Sequence, residues 1–131
     1  MTTFGAIGIA STGLTVHRKW LDAVSDNLSN VNTARSTAED AFQARYVQVR
    51  EMAGGGVQVA GALLSGNTEG RLVYEPDNPL ADEDGYVRYP DIDTAGQMTQ
   101  LIMAQRGYQA NAAVVDRAKE AYQAALAIGR Q

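Results

Sequence analysis

A stripe of residues spaced by seven runs through the last third of the chain. Leu101, Tyr108, Val115, Tyr122 and Gly129 share one heptad position, and Ala104, Asn111, Ala118 and Ala125 follow the first four by three residues. No proline interrupts the stretch from Thr94 to Gly129. Larger and smaller residues alternating at the two seam positions of successive heptads are the signature of a coiled coil. A helix of this extent is roughly 50 Å long at ~1.5 Å per residue. A chain of 131 residues buries little of such a helix by itself, so the stripe requires a partner.

The first thirty-odd residues carry a matching stripe. Ile7, Leu14, Leu21 and Leu28 are seven apart, with Ala10, His17, Val24 and Val31 three residues after each. Thr2 or Thr3 is placed to cap this helix. Gly5, Gly8 and Gly13 weaken its first turns by ~1 kcal/mol each relative to alanine. The asparagines from Asn30 to Asn32 suit its end, because asparagine tolerates the left-handed geometry of a C-cap. Two seams in one chain predict a mainly α (α+β) fold. Long N- and C-terminal helices (residues 1–33 and 92–131) pair as a coiled-coil domain, and residues 34–91 form an inserted small β region with a connector. One pair of seams leaves Phe4, Trp20, Met98, Ile102, Val114, Leu126 and Ile128 uncovered, which points to further buried faces. The candidate subunit-packing residues are therefore Ile7, Leu14, Leu21, Val24, Leu28, Leu101, Gly107, Tyr108, Asn111, Val115 and Tyr122.

The insert loses the helical period. Arg35 to Ala44 is polar and reads as a loop. Arg45 to Met52 alternates as a strand, Gly54 to Gly56 turns the chain, and Val57 to Leu64 returns as its hairpin partner. Leu72 to Tyr74 reads as a third short strand, and a small two- or three-stranded sheet fits, marginal on its own and needing a helix to lean on. From Tyr74 to Asp93 three prolines predict an ordered, extended connector, with Asp84-Gly85 turning the chain so that Tyr86 to Tyr89 pairs as a short strand. Thr94 and Gln97 form a capping box for the C-terminal helix. Within that helix Gly107 costs ~1 kcal/mol, which predicts close approach of another backbone. Asn111 on the seam fixes register at a cost in stability, unless that turn of the helix faces water.

Little in the chain points to chemistry. There is no cysteine, hence no disulfide or thiolate metal site. A net charge of −4 argues against nucleic-acid binding. No apolar run approaches the ~18 residues of a membrane span, and the first residues lack the basic start of a cleaved secretory signal. His17, the single histidine, has no companions and reads as a packing residue. Gly54-Gly55-Gly56 is not followed by the Gly-Lys-Ser/Thr of a phosphate loop. Asp82, Glu83, Asp84 and Gly85 invite a calcium-loop reading, but the first ligand would then be Leu80 and no helix leads in. No catalytic, cofactor or metal site is expected, nor a small-molecule substrate.

Three stretches carry a family resemblance. Asp26 to Thr33, Asp-Asn-Leu-Ser-Asn-Val-Asn-Thr, resembles the Asn-Leu-Ala-Asn-x-Asn-Thr signature of flagellar axial proteins, with Ser29 where alanine is usual. Tyr74 to Pro79, with Ala81-Asp82 and Asp84 to Val87, is similar to the signature of C-type basal-body rod subunits of the proximal rod, with Asn78 where histidine is frequent. Arg106 to Asn111 resembles that family's Ser-Tyr-Gln/Glu-Ala-Asn block, with Gly107 in place of serine. The matching motif residues are Asn27, Leu28, Asn30, Asn32, Thr33, Pro76, Pro79, Asp82, Gly85 and Tyr86. The resemblance covers nearly the whole chain in order, least between Ala34 and Met52. It implies a structural subunit of the flagellar basal body, exported through the flagellar type III export machinery and assembled in the periplasmic rod that transmits torque. Partners implied are copies of itself, other proximal and distal rod proteins and the membrane-proximal adaptor at the rod base. The alternative is a helical adaptor that binds another coiled-coil protein without polymerising.

Overall fold

In the computed structural model, residues 3–129 are described. Helix α1 spans Thr3–Asn30, and strands β1 (Ala44–Glu51) and β2 (Val57–Ser65) follow as a hairpin. Strands β3 (Arg71–Tyr74) and β4 (Tyr86–Tyr89) form a second, antiparallel pair, and helix α2 runs over Thr94–Ile128. The expected class, α+β with two long helices packed together and a small β-hairpin region between them in sequence, is the observed one. The proposed cap at Thr2 or the Thr3 side chain lies outside the described residues.

The chain divides into two compact units. The first comprises residues 3–21, 47–61 and 102–129. Ala10, Val16 and Ala104 are its buried apolar residues. Here the glycine run has two jobs. Gly55 and Gly56 take φ of +90° and +93°, which L side chains rarely adopt. They also bring the hairpin tip onto α1: a Cβ on Gly56 would stand 2.6 Å from Thr12 Oγ1. The Val57 amide donates to that same hydroxyl at 3.0 Å, while the hydroxyl donates to Ile9 O at 2.7 Å.

The second unit comprises residues 22–46 and 62–101. Val24, Ala41, Ala44, Val87 and Pro90 are buried in it. Strand β4 is paired on both edges. Its register with β3 puts Val73 opposite Val87 and Tyr74 opposite Tyr86, and on the other side Arg35 and Arg88 exchange amide-to-carbonyl bonds at 2.8 and 2.9 Å. One open pairing is settled here and one expectation changes. Leu72 to Tyr74 does not extend the first hairpin; it pairs with β4. The stretch after Tyr74 is therefore folded back on itself and not extended. Glu75 N donates to Gly85 O at 2.9 Å and Asn78 N to Glu75 O at 3.0 Å, so turns replace an open run. Asp82 closes the far side. Its carboxylate accepts from the amides of Tyr86 (2.8 Å) and Asp84 (3.1 Å). The Tyr86 amide above all, with Thr37 and further loop amides, holds the Asp82 carboxyl below the usual carboxylate range.

Both helix ends also differ from expectation. No asparagine takes positive φ at the end of α1. Instead Asn30 Nδ2 donates to Asp26 O at 2.8 Å, and Thr33 Oγ1 donates to Asn30 Oδ1 at 3.2 Å. Helix α2 is capped by Asp93, not by a Thr94–Gln97 box: Ala95 N donates to Asp93 Oδ1 at 3.1 Å. Gln97 is buried and used elsewhere.

Candidate assembly interface

The helix pair in the first unit is built on two glycine notches. His17 Nδ1 lies 2.7 Å from Gly13 O. A carbonyl only accepts, so this nitrogen carries the proton and donates. The ring is thereby swung across to α2, where it fills the space a Cβ on Gly107 would need. Four residues beyond Gly107, Asn111 Nδ2 donates back to Gly107 O at 2.8 Å. The Asn111 amide in turn occupies the space beside Gly13, where a Cβ would stand 2.7 Å from its Cγ. Each helix thus offers a glycine and, four residues on, a polar side chain tied to that glycine's carbonyl. The two modules are reciprocal and antiparallel, since Gly13 meets Asn111 and His17 meets Gly107. Close approach at Gly107 was expected from another backbone; an imidazole makes it.

Within the second unit the helices meet through Asn27. This side chain is fully buried. Its Nδ2 donates to Arg45 O (2.9 Å) and to Gln97 Oε1 (3.0 Å), and its Oδ1 accepts from Arg45 N at 2.7 Å. Gln97 Nε2 then donates to the Tyr46 hydroxyl at 2.9 Å. Asn27 therefore acts as a neighbouring strand residue would, satisfying both main-chain groups of Arg45 while tying α1 to α2. The Asp26–Arg45 ion pair beside it, at 3.3 Å, is half exposed and contributes little.

The remaining candidate residues take varied places. Leu14, Leu21, Leu28, Leu101 and Val115 are half-buried, and Val24 is buried. Gly13 and Asn27 are buried where their neighbours Leu14 and Leu28 are not, so the seam on α1 sits one residue earlier at these turns. Ile7 is half-buried and lines a groove of about 390 Å³ with Phe4, Lys119, Tyr122, Gln123 and Leu126. Tyr122 packs edge-on to Phe4 at 5.2 Å, yet the Phe4 side of this contact is 66% exposed. From Lys119 to Gly129 every residue of the described chain is exposed, Leu126 and Ile128 among them. Tyr108 is exposed.

Of the motif residues, Asn27, Asn30 and Thr33 make the bonds given above, and Asn32 is exposed. Pro76 and the Tyr74 ring close over Gly85, whose φ is +82°, with Pro76 Cβ 3.3 Å from where a Cβ would be. Pro79 is exposed, and Tyr86 packs edge-on to Tyr74 at 5.4 Å. Reading the sequence missed Gly13, Tyr46 and Gln97 as positioning residues. The shared spacing of Gly13/His17 and Gly107/Asn111 was a usable signal; nothing local marked Tyr46, and the local pattern at Gln97 pointed to a cap instead. Among the described residues no group of three or more His, Asp or Glu side chains converges, and no helix is long and apolar enough to cross a membrane.

Residues 83–128 match the family model described as flagellar basal body rod FlgEFG protein C-terminal. The flagellar basal-body rod protein FlgC of Salmonella typhimurium is 36% identical over 135 residues, covering 99% of this chain and 100% of that protein. The FlgC of Bacillus subtilis is 29% identical over 150 residues, with 99% and 100% covered. That of Aquifex aeolicus is 31% identical over 139 residues, with 94% of each covered.

Proposed function

Because the chain belongs to the FlgC family of flagellar basal-body rod proteins, we propose that it is a structural subunit of the basal-body rod. The observation that carries this is end-to-end likeness to proteins of that name, 36% identical over 99% of the chain. The packing supports it. The end of α2 and its contact with Phe4 keep apolar side chains uncovered within the subunit, as a surface completed by neighbours would. Its place is the proximal rod in the periplasm, reached through the flagellar type III export machinery. There it transmits torque together with copies of itself, other proximal and distal rod proteins and the membrane-proximal adaptor at the rod base. Its work is mechanical and not catalytic. The terminal segments, residues 1–33 and 92–131, form the assembling domain and residues 34–91 the insert.

Deletion of the gene and complementation test this reading. The wild-type chain restores swimming and is recovered in purified basal bodies. Leu21→Lys or Val115→Lys, which each set a charge into the half-buried helix seam at a cost of several kcal/mol, abolish both. Recovery of swimming by both variants, or absence of the wild-type chain from basal bodies, contradicts it. An adaptor that does not polymerise would bind a single coiled-coil partner and be missing from the rod.

A further inference from the structure

Charge is divided unevenly between the two units. Among the described residues, the first unit holds six Lys and Arg against three Asp and Glu, whereas the second holds four against twelve. Three of those four cations are engaged: Arg45 with Asp26, Arg88 with the carbonyls of Thr68 (3.1 Å) and Thr37 (2.8 Å), and Arg71 over the Tyr89 ring at 5.5 Å. The acidic unit also shows an apolar face. Alternation along β3 and β4 turns Val87 inward and leaves Leu72, Tyr74 and Tyr86 outward, with Leu72 57% and Tyr74 62% exposed. The loop joining these strands rims them with exposed Asp77, Glu83 and Asp84. The basic unit carries an apolar groove of about 260 Å³ between α1 and β2, lined by Thr12, Thr15, Val16, Val57 and Val59 with Lys19 among them. It lies below the ~300–1,000 Å³ of small-molecule sites and suits one or two protein side chains. Lys19 is exposed, adjoins Arg18 and has no ion-pair partner among the described residues.

We propose that copies of this chain dock head to tail, the acid-rimmed Leu72–Tyr74–Tyr86 face of one copy seating in the Lys19 groove of the next. This rests on the reading of the chain as an assembling subunit and names the surfaces it uses. A contact between two different patches leaves one of each free and so propagates, which a two-fold contact does not. Opposite charge supplies steering and register, and the apolar contact supplies the cohesion. Whole copies carry the same net charge of −4. Their repulsion is averaged over the molecule, while the complementary patches meet within a Debye length of ~10 Å.

Sedimentation velocity on the purified full chain tests this. Wild type associates at about 0.02 M salt and dissociates at about 0.5 M. Lys19→Glu weakens association roughly ten-fold, and Lys19→Glu mixed with Asp84→Lys restores it. Because the native chain has no cysteine, Lys19→Cys mixed with Asp84→Cys gives a disulfide-linked heterodimer under mild oxidation. Either variant alone gives far less linked product. No association of wild type at low salt overturns the proposal. So does indifference to salt and to Lys19→Glu, or preferential formation of symmetric homodimers. The two readings fail separately. If Lys19→Glu is incorporated into basal bodies as wild type is, the docking mode falls and the rod subunit stands. If the chain docks head to tail but is never found in basal bodies, the rod assignment falls.

Discussion

Replacing Asn27 by alanine would leave the part-buried amide and carbonyl of Arg45 and the buried Oε1 of Gln97 without this partner. Each unsatisfied buried group costs ~1–3 kcal/mol. Asn27→Ala is therefore expected to destabilise the second unit by about 3 kcal/mol, read as a lower urea midpoint; a shift under about 0.5 kcal/mol would show that water replaces the network. Asp82 makes a prediction about acid. Its carboxyl is held below its ordinary 3.8 by loop amides, Tyr86 first. A depressed folded-state value means the stabilisation is complete above the unfolded value and is lost as pH falls through the folded one. Amide exchange in β3 and β4 should thus accelerate below about pH 3.8, and Asp82→Asn should flatten that part of the profile. An unchanged profile in the variant would assign the acid sensitivity elsewhere. In the sequence Asp82 stood out as one of a cluster of acids that invited a metal; its bonds show a carboxylate occupied with backbone amides.

At the scale of elements, the two helices were legible because their heptads are long and uninterrupted. The strand boundaries followed from alternation and glycine. What the pattern misplaced has physical causes. A hydrophobic template selects Leu14 and Leu28, whereas the closest-packed positions are the neighbouring glycine and asparagine, which score as polar or empty. Helices of 3.6 residues per turn also drift ~20° per heptad against a seven-residue repeat. The partner of strand β3 was left open by the pattern because pairing is a tertiary choice; the loop bonds of Glu75, Asn78 and Asp82 direct it to β4. Gln97 looked like a cap, but a buried donor seventy residues away in sequence, the Asn27 side-chain amide, claims its Oε1. The glycine notches give the sharpest test at this scale. Gly107→Leu should raise the helicity of an isolated α2 peptide, since glycine costs ~1 kcal/mol there, and yet impair assembly, because the new side chain collides with His17. Shortening the obstacle is the control: Gly107→Ala should impair assembly, and adding His17→Ala should recover it. Equal assembly of Gly107→Leu and wild type would show that the ring gives way freely.

For the whole molecule, the apolar side chains left uncovered on the terminal helices are, in the proposed rod subunit, the faces that neighbours would complete. Ordering a residue costs ~1–2 kcal/mol of backbone entropy, and the exposed end of α2 has little intrachain contact to offset it. In purified monomer, hydrogen exchange should therefore be fast over residues 119–129 and slower over Arg45 to Leu64 and around the Asn27 network; strong protection of residues 119–129 would indicate a helix end that needs no neighbour. The family was readable from three short motifs, in which Asn27, Asn30, Asp82, Gly85, Gly107 and Asn111 make the bonds and close contacts described above. The surfaces that join subunits were not, because a surface is defined by side chains brought together from distant parts of the chain. A cryo-EM map of purified basal bodies tests the central claim most directly. This chain should be found in the rod, with Phe4, Tyr122, Leu126 and Ile128 covered by adjacent subunits. A rod without the chain, or with those side chains facing open solvent, would contradict it.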